Sequence, residues 1–116
     1  MTNLLKPLGT TVSAVCATPA YVLKFYADDH SAHINTPAHE IFLNPAEYDF
    51  TTVFMERLAL VWAHDNKFIG YRITHSGKTI TPFKFVNDGD IDNICMIELM
   101  YIDQVLNDIE PWVTLN

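Results

Sequence analysis

The sequence predicts a single α+β domain over 1–116, with an antiparallel sheet of about 4–6 strands and two main helices, near 45–64 and 91–109, packed on one face. Three observations predict it. Apolar residues make up 49% of the chain and charged residues 18%, a globular composition. Short runs rich in β-branched and aromatic residues are bounded by turn-forming residues. Two longer segments instead carry apolar residues at helical spacing, and a hairpin signal separates them. At 116 residues the chain can bury roughly two-thirds of its unfolded surface and needs no staples.

In chain order, TTVSAVCAT (10–18) and AYVLKFYA (20–27), divided by Pro19, read as strands. SAHINT (31–36) and HEIFLN (39–44) read as a hairpin closed at Pro37-Ala38. In NPAEYDF (44–50), Asn44 suits the N-cap and Pro45 the first helical position, where its missing N–H costs nothing. Glu47 can reach back to that cap, and the helix should run to Ala63 or His64 before Asp65-Asn66 breaks it. KFIGYRIT (67–74) and KTITPFKFV (78–86) are strands joined through His75-Ser76-Gly77, where glycine can take positive φ. Pro82 marks the second as an edge strand or the site of a bulge. Asp90 is the expected cap of a helix from about Ile91 to Ile109, which Pro111 stops.

Helical periodicity adds a pairing expectation. Phe50, Val53, Phe54, Leu58, Val61 and Trp62 fill one arc of the first helix, with Asp49, Thr52 and Glu56 opposite. Ile91, Ile94, Cys95, Leu99, Ile102, Val105, Leu106 and Ile109 form the stripe of the second. Each arc contains one charge, Arg57 in the first and Glu98 in the second. Buried charges need partners, so the two either pair where the helices meet or each reaches water at its stripe's margin.

Three of the five histidines fall in DDHSAHINTPAHE, residues 28–40. In the expected hairpin His33, Asn35, Glu40 and Phe42 share one face, while His39 lies on the other with Ile34, Ile41 and Leu43. His33 and Glu40 are then a weak metal or histidine–carboxylate candidate, in a spacing that matches no standard zinc pattern. The plainer reading is a solvated polar hairpin. No nucleophile elbow, phosphate-cradling glycine loop or paired-carboxylate motif is present, so the sequence predicts a non-enzyme without cofactor. A ligand-binding or catalytic alternative would use His33 and Glu40, with Tyr71 or His75 nearby.

Cys16 and Cys95, both among apolar neighbours, are expected to be buried reduced thiols. The opening MTNLLKPLGTTVSAV lacks a long apolar centre, and no run approaches the ~20 residues of a membrane span, which together predict a cytoplasmic location.

The net charge of −7 argues against direct binding to a phosphate backbone and for a basic protein partner. Seven acids follow the last basic residue, Lys84: Asp88, Asp90, Asp92, Glu98, Asp103, Asp108 and Glu110. On one continuous helix Asp92, Asp103 and Glu110 would fall within about 20° of a line, spaced like a row of phosphates. Met96 and Met100 lie on the same polar side, where they suit an adaptable recognition surface or are covered by another element or a second copy of the chain. The expected partner-binding set is therefore Asp88, Asp90, Asp92, Met96, Met100, Asp103 and Glu110. In size and charge, though through no defined segment, the chain resembles small acidic DNA-mimic, anti-restriction and anti-CRISPR proteins of phages and mobile elements. That resemblance implies an inhibitor or modulator of a nucleic-acid-binding protein. An immunity- or antitoxin-type protein dedicated to one basic partner is the alternative.

Overall fold

The computed structural model describes residues 21–43, 51–109 and 114–115. Its elements are β1 (Tyr21–Tyr26), α1 (Asp29–His33), β2 (His39–Leu43), α2 (Thr52–Asp65), β3 (Gly70–His75), β4 (Lys78–Phe85), α3 (Asp88–Asp92), α4 (Met96–Ile109) and β5 (Thr114–Leu115). The strands form one sheet in the order β4-β3-β1-β2-β5, antiparallel at every pairing. This is the α+β architecture that the sequence predicts.

Strand alternation decides which side chains enter the core. Leu23 and Phe25 of β1, Ile41 and Leu43 of β2, and Tyr71 and Ile73 of β3 point to one face and are all buried. α2 packs on that face against β1 and β3, and α4 lies against α2. α2 is buried around most of its girth, from Leu58 to Ala63 without interruption. α4 contributes Ile102, Val105 and Leu106 to the same core.

The β3–β4 hairpin closes through Ser76 and Gly77, at φ 53° and 80°. Positive φ at both residues is the geometry that matches the strand twist. β4 is an edge strand, and its register shifts twice opposite Tyr71–Thr74, on either side of Thr81. Pro82 sits in that irregular stretch, where no ladder hydrogen bond is needed from it.

Three expectations are overturned. The segment 31–36 is not a strand. Asp28 accepts from the Ser31 backbone N–H at 2.7 Å while the Asp28 N–H donates to Ser31 Oγ, and this reciprocal cap starts α1. The bonds from Ser31 hold the Asp28 carboxyl below its ordinary range. Asn35, at φ 54°, ends the turn in a conformation asparagine tolerates. The hairpin partner of β2 is therefore β1, with Leu23 opposite Ile41 and Phe25 opposite His39.

The first main helix begins at Thr52 and not at Pro45. Thr51 is extended and its hydroxyl accepts from the Phe54 N–H. The expected cap at Asn44, Pro45 and Glu47 lies outside the described residues, as do the strand at 10–18, Cys16 and Glu110. The helix ends at Asp65, one residue past the expected His64, where Asn66 Nδ2 donates to the Trp62 carbonyl.

The continuous helix 91–109 is in fact two. Asn87, not Asp90, caps α3, accepting from the Gly89 N–H at 2.8 Å. Asn93 ends it, and α4 restarts from the Cys95 carbonyl, which accepts from Leu99. Asparagine competes for backbone hydrogen bonds, which is why it favours such boundaries over helix interiors. Cys95, in the break, is exposed and free.

Gly70 is the tightest backbone approach in the sheet. A Cβ there would collide with the Lys84 carbonyl and the Phe83 ring. Gly70→Ala is expected to destabilise the fold by about 1–3 kcal/mol, read as a lowered urea midpoint with an unchanged m-value. An unchanged midpoint would show that β4 yields without cost.

Candidate interaction surface

α4 buries one half of its circumference and exposes the other. Ile102, Val105 and Leu106 face inward. Met96, Ile97, Met100 and Tyr101 face outward with relative exposures of 75%, 80%, 68% and 51%. They are four of the eight large apolar residues exposed among the described ones, gathered within the first two turns of one helix. Scattered apolar side chains are ordinary on a surface, whereas such a cluster is a candidate for contact with another molecule. Asp103, Gln104 and Asn107 continue this face toward the helix C-terminus and are exposed.

The expected acids distribute as follows. Asp88, Asp90 and Asp92 are exposed on α3, and Asp103 is exposed on α4. The break at 93–95 separates them, so Asp92 and Asp103 do not share one helical line. The evenly spaced row of carboxylates is thereby lost among the described residues. Ile97 and Tyr101 were not read as surface residues from the sequence. Their signal was present, since both lie off the apolar stripe beside Met96 and Met100.

Arg57 of α2 and Glu98 of α4 form an ion pair, with Nη1 donating to Oε1. Their side chains are 44% and 23% exposed, so the pair bridges the two helices at the rim of the core and not inside it. On α2, Glu56 does not face solvent as its helical position suggested. It reaches the sheet edge, accepting from Thr81 Oγ1 at 3.1 Å and from Lys84 Nζ at 3.5 Å. Farther along, His64 Nε2 lies 3.0 Å from Asp88 and ties α2 to α3.

Glu56, Arg57, Tyr71, Lys84 and Asp90 come together around a cleft of about 260 Å³ between α2, the β3–β4 hairpin and α3. Tyr71 is 4% exposed. Burial, aided by the charges of Glu56 and Asp90, pushes its phenol up to about 12. It is therefore a neutral hydroxyl at any physiological pH.

The histidines do not converge. His30 and His33 are exposed on α1. Glu40 stands opposite Lys24 on the outer face of the sheet. The weak His33–Glu40 candidate loses its basis, a shared face of one hairpin, because His33 lies on a helix. Among the described residues no three His, Cys, Asp or Glu side chains are placed to hold a metal ion. His33 instead borders a recess beside Arg72, Phe83 and Phe85. Arg72 donates to Asn35 Oδ1 at 2.9 Å and to the Tyr26 hydroxyl at 3.1 Å, and Tyr26 donates to Asn35 at 2.6 Å.

His39 lies on the core face, as its strand position implies, packed edge-on against Trp62 and Phe68. Its Nδ1 is buried without a hydrogen-bond partner among the described residues. Desolvation holds its pKa below the ordinary 6.5. The unfolded chain thus takes up this proton at a higher pH than the folded one, so the contribution to stability is complete above about 6.5 and falls as pH drops below it. His39→Phe is expected to flatten the pH dependence of the urea midpoint between about pH 6.5 and 5. A variant that keeps the wild-type slope would assign that slope to other groups.

No helix among the described residues is long and apolar enough to cross a membrane. Against known proteins, no family model, curated protein or solved structure matches the chain.

Proposed function

We propose that this protein is a small acidic interaction module, an inhibitor or modulator that docks the exposed face of α3 and α4 onto a basic surface of a nucleic-acid-handling protein. The observation that carries the reading is the apolar cluster Met96, Ile97, Met100 and Tyr101 set in a segment without a single lysine or arginine. Methionine and tyrosine are favoured at interface centres, where a flexible thioether or a rigid ring fills a partner's surface. Carboxylates at the rim steer a basic partner and exclude acidic ones. The same charge repels the nucleic acid itself.

The loss of an even carboxylate row shifts the weight within this reading. Affinity would come from the apolar cluster, and the acids would set partner choice and association rate. A single basic partner engaged this way is also what the immunity-type alternative requires, and competition by nucleic acid separates the two.

The test is capture of partners at low and high salt with wild type, with Ile97→Ser/Met100→Ser, and with Asp88, Asp92 and Asp103 changed to lysine. The expected result is a basic protein retained by wild type, displaced by added DNA or RNA, and lost from both variants. Retention by both variants would remove this face from binding. A dimer that Ile97→Ser/Met100→Ser dissolves, seen by analytical ultracentrifugation, would give the face to a second copy instead.

A further inference from the structure

We propose that the cleft between α2, the β3–β4 hairpin and α3 receives one arginine side chain of the basic partner. The proposal rests on the docking reading above and supplies its anchor.

The cleft holds an unsatisfied acceptor. Tyr71 lines it, is 4% exposed, and its hydroxyl has no hydrogen-bond partner among the described residues. The ring is buried, but the hydroxyl is not one of the buried unpaired atoms and so meets solvent inside the cleft, open to a ligand. The phenol oxygen can accept from an incoming N–H.

The charges leave room for one more cation. Arg57 and Lys84 both line the cleft, but each already has a carboxylate: Glu98 for Arg57, and Glu56 for Lys84. Asp90, on the opposite wall, has no cationic partner among the described residues. A guanidinium between Asp90 and the Tyr71 hydroxyl would meet the one unneutralised charge and the one unused acceptor.

The walls suit a planar cation on an aliphatic stem. Leu60 lies in the lining, while Val53 and Phe85, 55% and 62% exposed, stand at its edge. Phe85 offers a ring face on which a guanidinium can stack, a contact arginine makes better than lysine. A volume of about 260 Å³ lies below the roughly 300–1,000 Å³ of small-molecule sites and fits one long side chain better than a cofactor.

Location ties the cleft to the docking face. Asp90 belongs to α3, and Arg57 on the cleft wall is held by Glu98 of α4. A basic partner lying on α3 and α4 therefore passes over its mouth.

The experiment is an ¹⁵N-detected NMR titration of the whole protein with N-acetyl-arginine methylamide, and in parallel with the citrulline analogue, which keeps the shape and loses the charge. Saturable shifts at the amides of Tyr71, Lys84 and Asp90 are expected with arginine and absent with citrulline. Asp90→Asn and Tyr71→Phe should each weaken binding about three- to tenfold, as for one lost hydrogen bond of ordinary strength. Tyr71→Phe keeps the packed ring, and the dispersion of its spectrum reports that the fold is intact. Shifts confined to other surfaces, equal shifts with citrulline, or variants that bind like wild type would overturn the proposal. Because the titration needs no partner, it separates from the docking test. Arginine held in the cleft while Ile97→Ser/Met100→Ser still captures the partner supports the receptor and removes the α4 face. A silent cleft with capture lost in that variant retains the face and removes the receptor.

Discussion

The structure depends on one constraint: α2 is apolar around nearly its whole circumference over Leu58–Ala63, and such a helix must be covered on more than one side. The sheet covers one side through β1 and β3, and α4 lies along another. Each fully buried Leu, Val or Met contributes about 1.5–3 kcal/mol relative to exposure, so this central helix outweighs any surface pair. Polar side chains on α2 are confined to its ends. Glu56 and Arg57 near the start and His64 near the finish each reach out to a neighbour: the sheet edge, α4 and α3. The ion pairs are modest in energy at these exposures, but they fix where the outer helices sit. The cleft belongs to the same arrangement, because both Glu56 and Arg57 line it while Glu56 bonds to the sheet edge and Arg57 to α4.

The outer face of the sheet is organised differently. Tyr26 is fully buried there although its neighbours Lys24 and Arg72 are charged. Arg72 lies 5.4 Å from the centre of the Tyr26 ring and 6.0 Å from that of Phe83. Its guanidinium shares Asn35 with the Tyr26 hydroxyl, so the polar end of a buried phenol is satisfied and α1 is fastened to the sheet in one step. Desolvation raises the Tyr26 pKa in spite of the arginine beside it, keeping it a donor to Asn35. Of the segment that looked most like chemistry in the sequence, Asn35 enters this small polar cluster, while His30 and His33 stay exposed on α1.

Much of the fold was legible because local signals and burial agreed. The β-branched and aromatic content of 20–27, the Ser76-Gly77 turn, the edge character of β4 and the stop at Asp65-Asn66 each rest on one short-range rule. Where two local rules competed, the wrong one was chosen. SAHINT has strand-like residues, but the Asp28–Ser31 cap, worth about 1 kcal/mol, nucleates a turn of helix first. The 91–109 stripe was real, for Ile94, Ile102, Val105 and Leu106 are all buried. Periodicity cannot detect a break that preserves the inward face, and Asn93 was the only sign of it. Arg57 and Glu98 were placed on the core side of their helices because a helical wheel has no radius. The actual positions depend on how far α4 lies from α2, which is a tertiary quantity. The cleft was invisible for the same reason: Tyr71, Asp90 and Glu56 are brought together by three elements with no sequence pattern in common.

The core does not explain the outward half of α4. Ile102, Val105 and Leu106 already supply that helix's attachment, and a helix of this length needs only one apolar stripe. Ile97, 80% exposed, and Met96, 75% exposed, bury too little surface to add much to folding. An uncovered apolar cluster is a solubility liability, which a net charge of −7 lessens. The same charge distribution selects what may approach. An acidic surface is disfavoured over this face and a basic one favoured. Folding therefore accounts for the inward half of α4 and gives the combination of apolar and acidic residues on the outward half no part in the core.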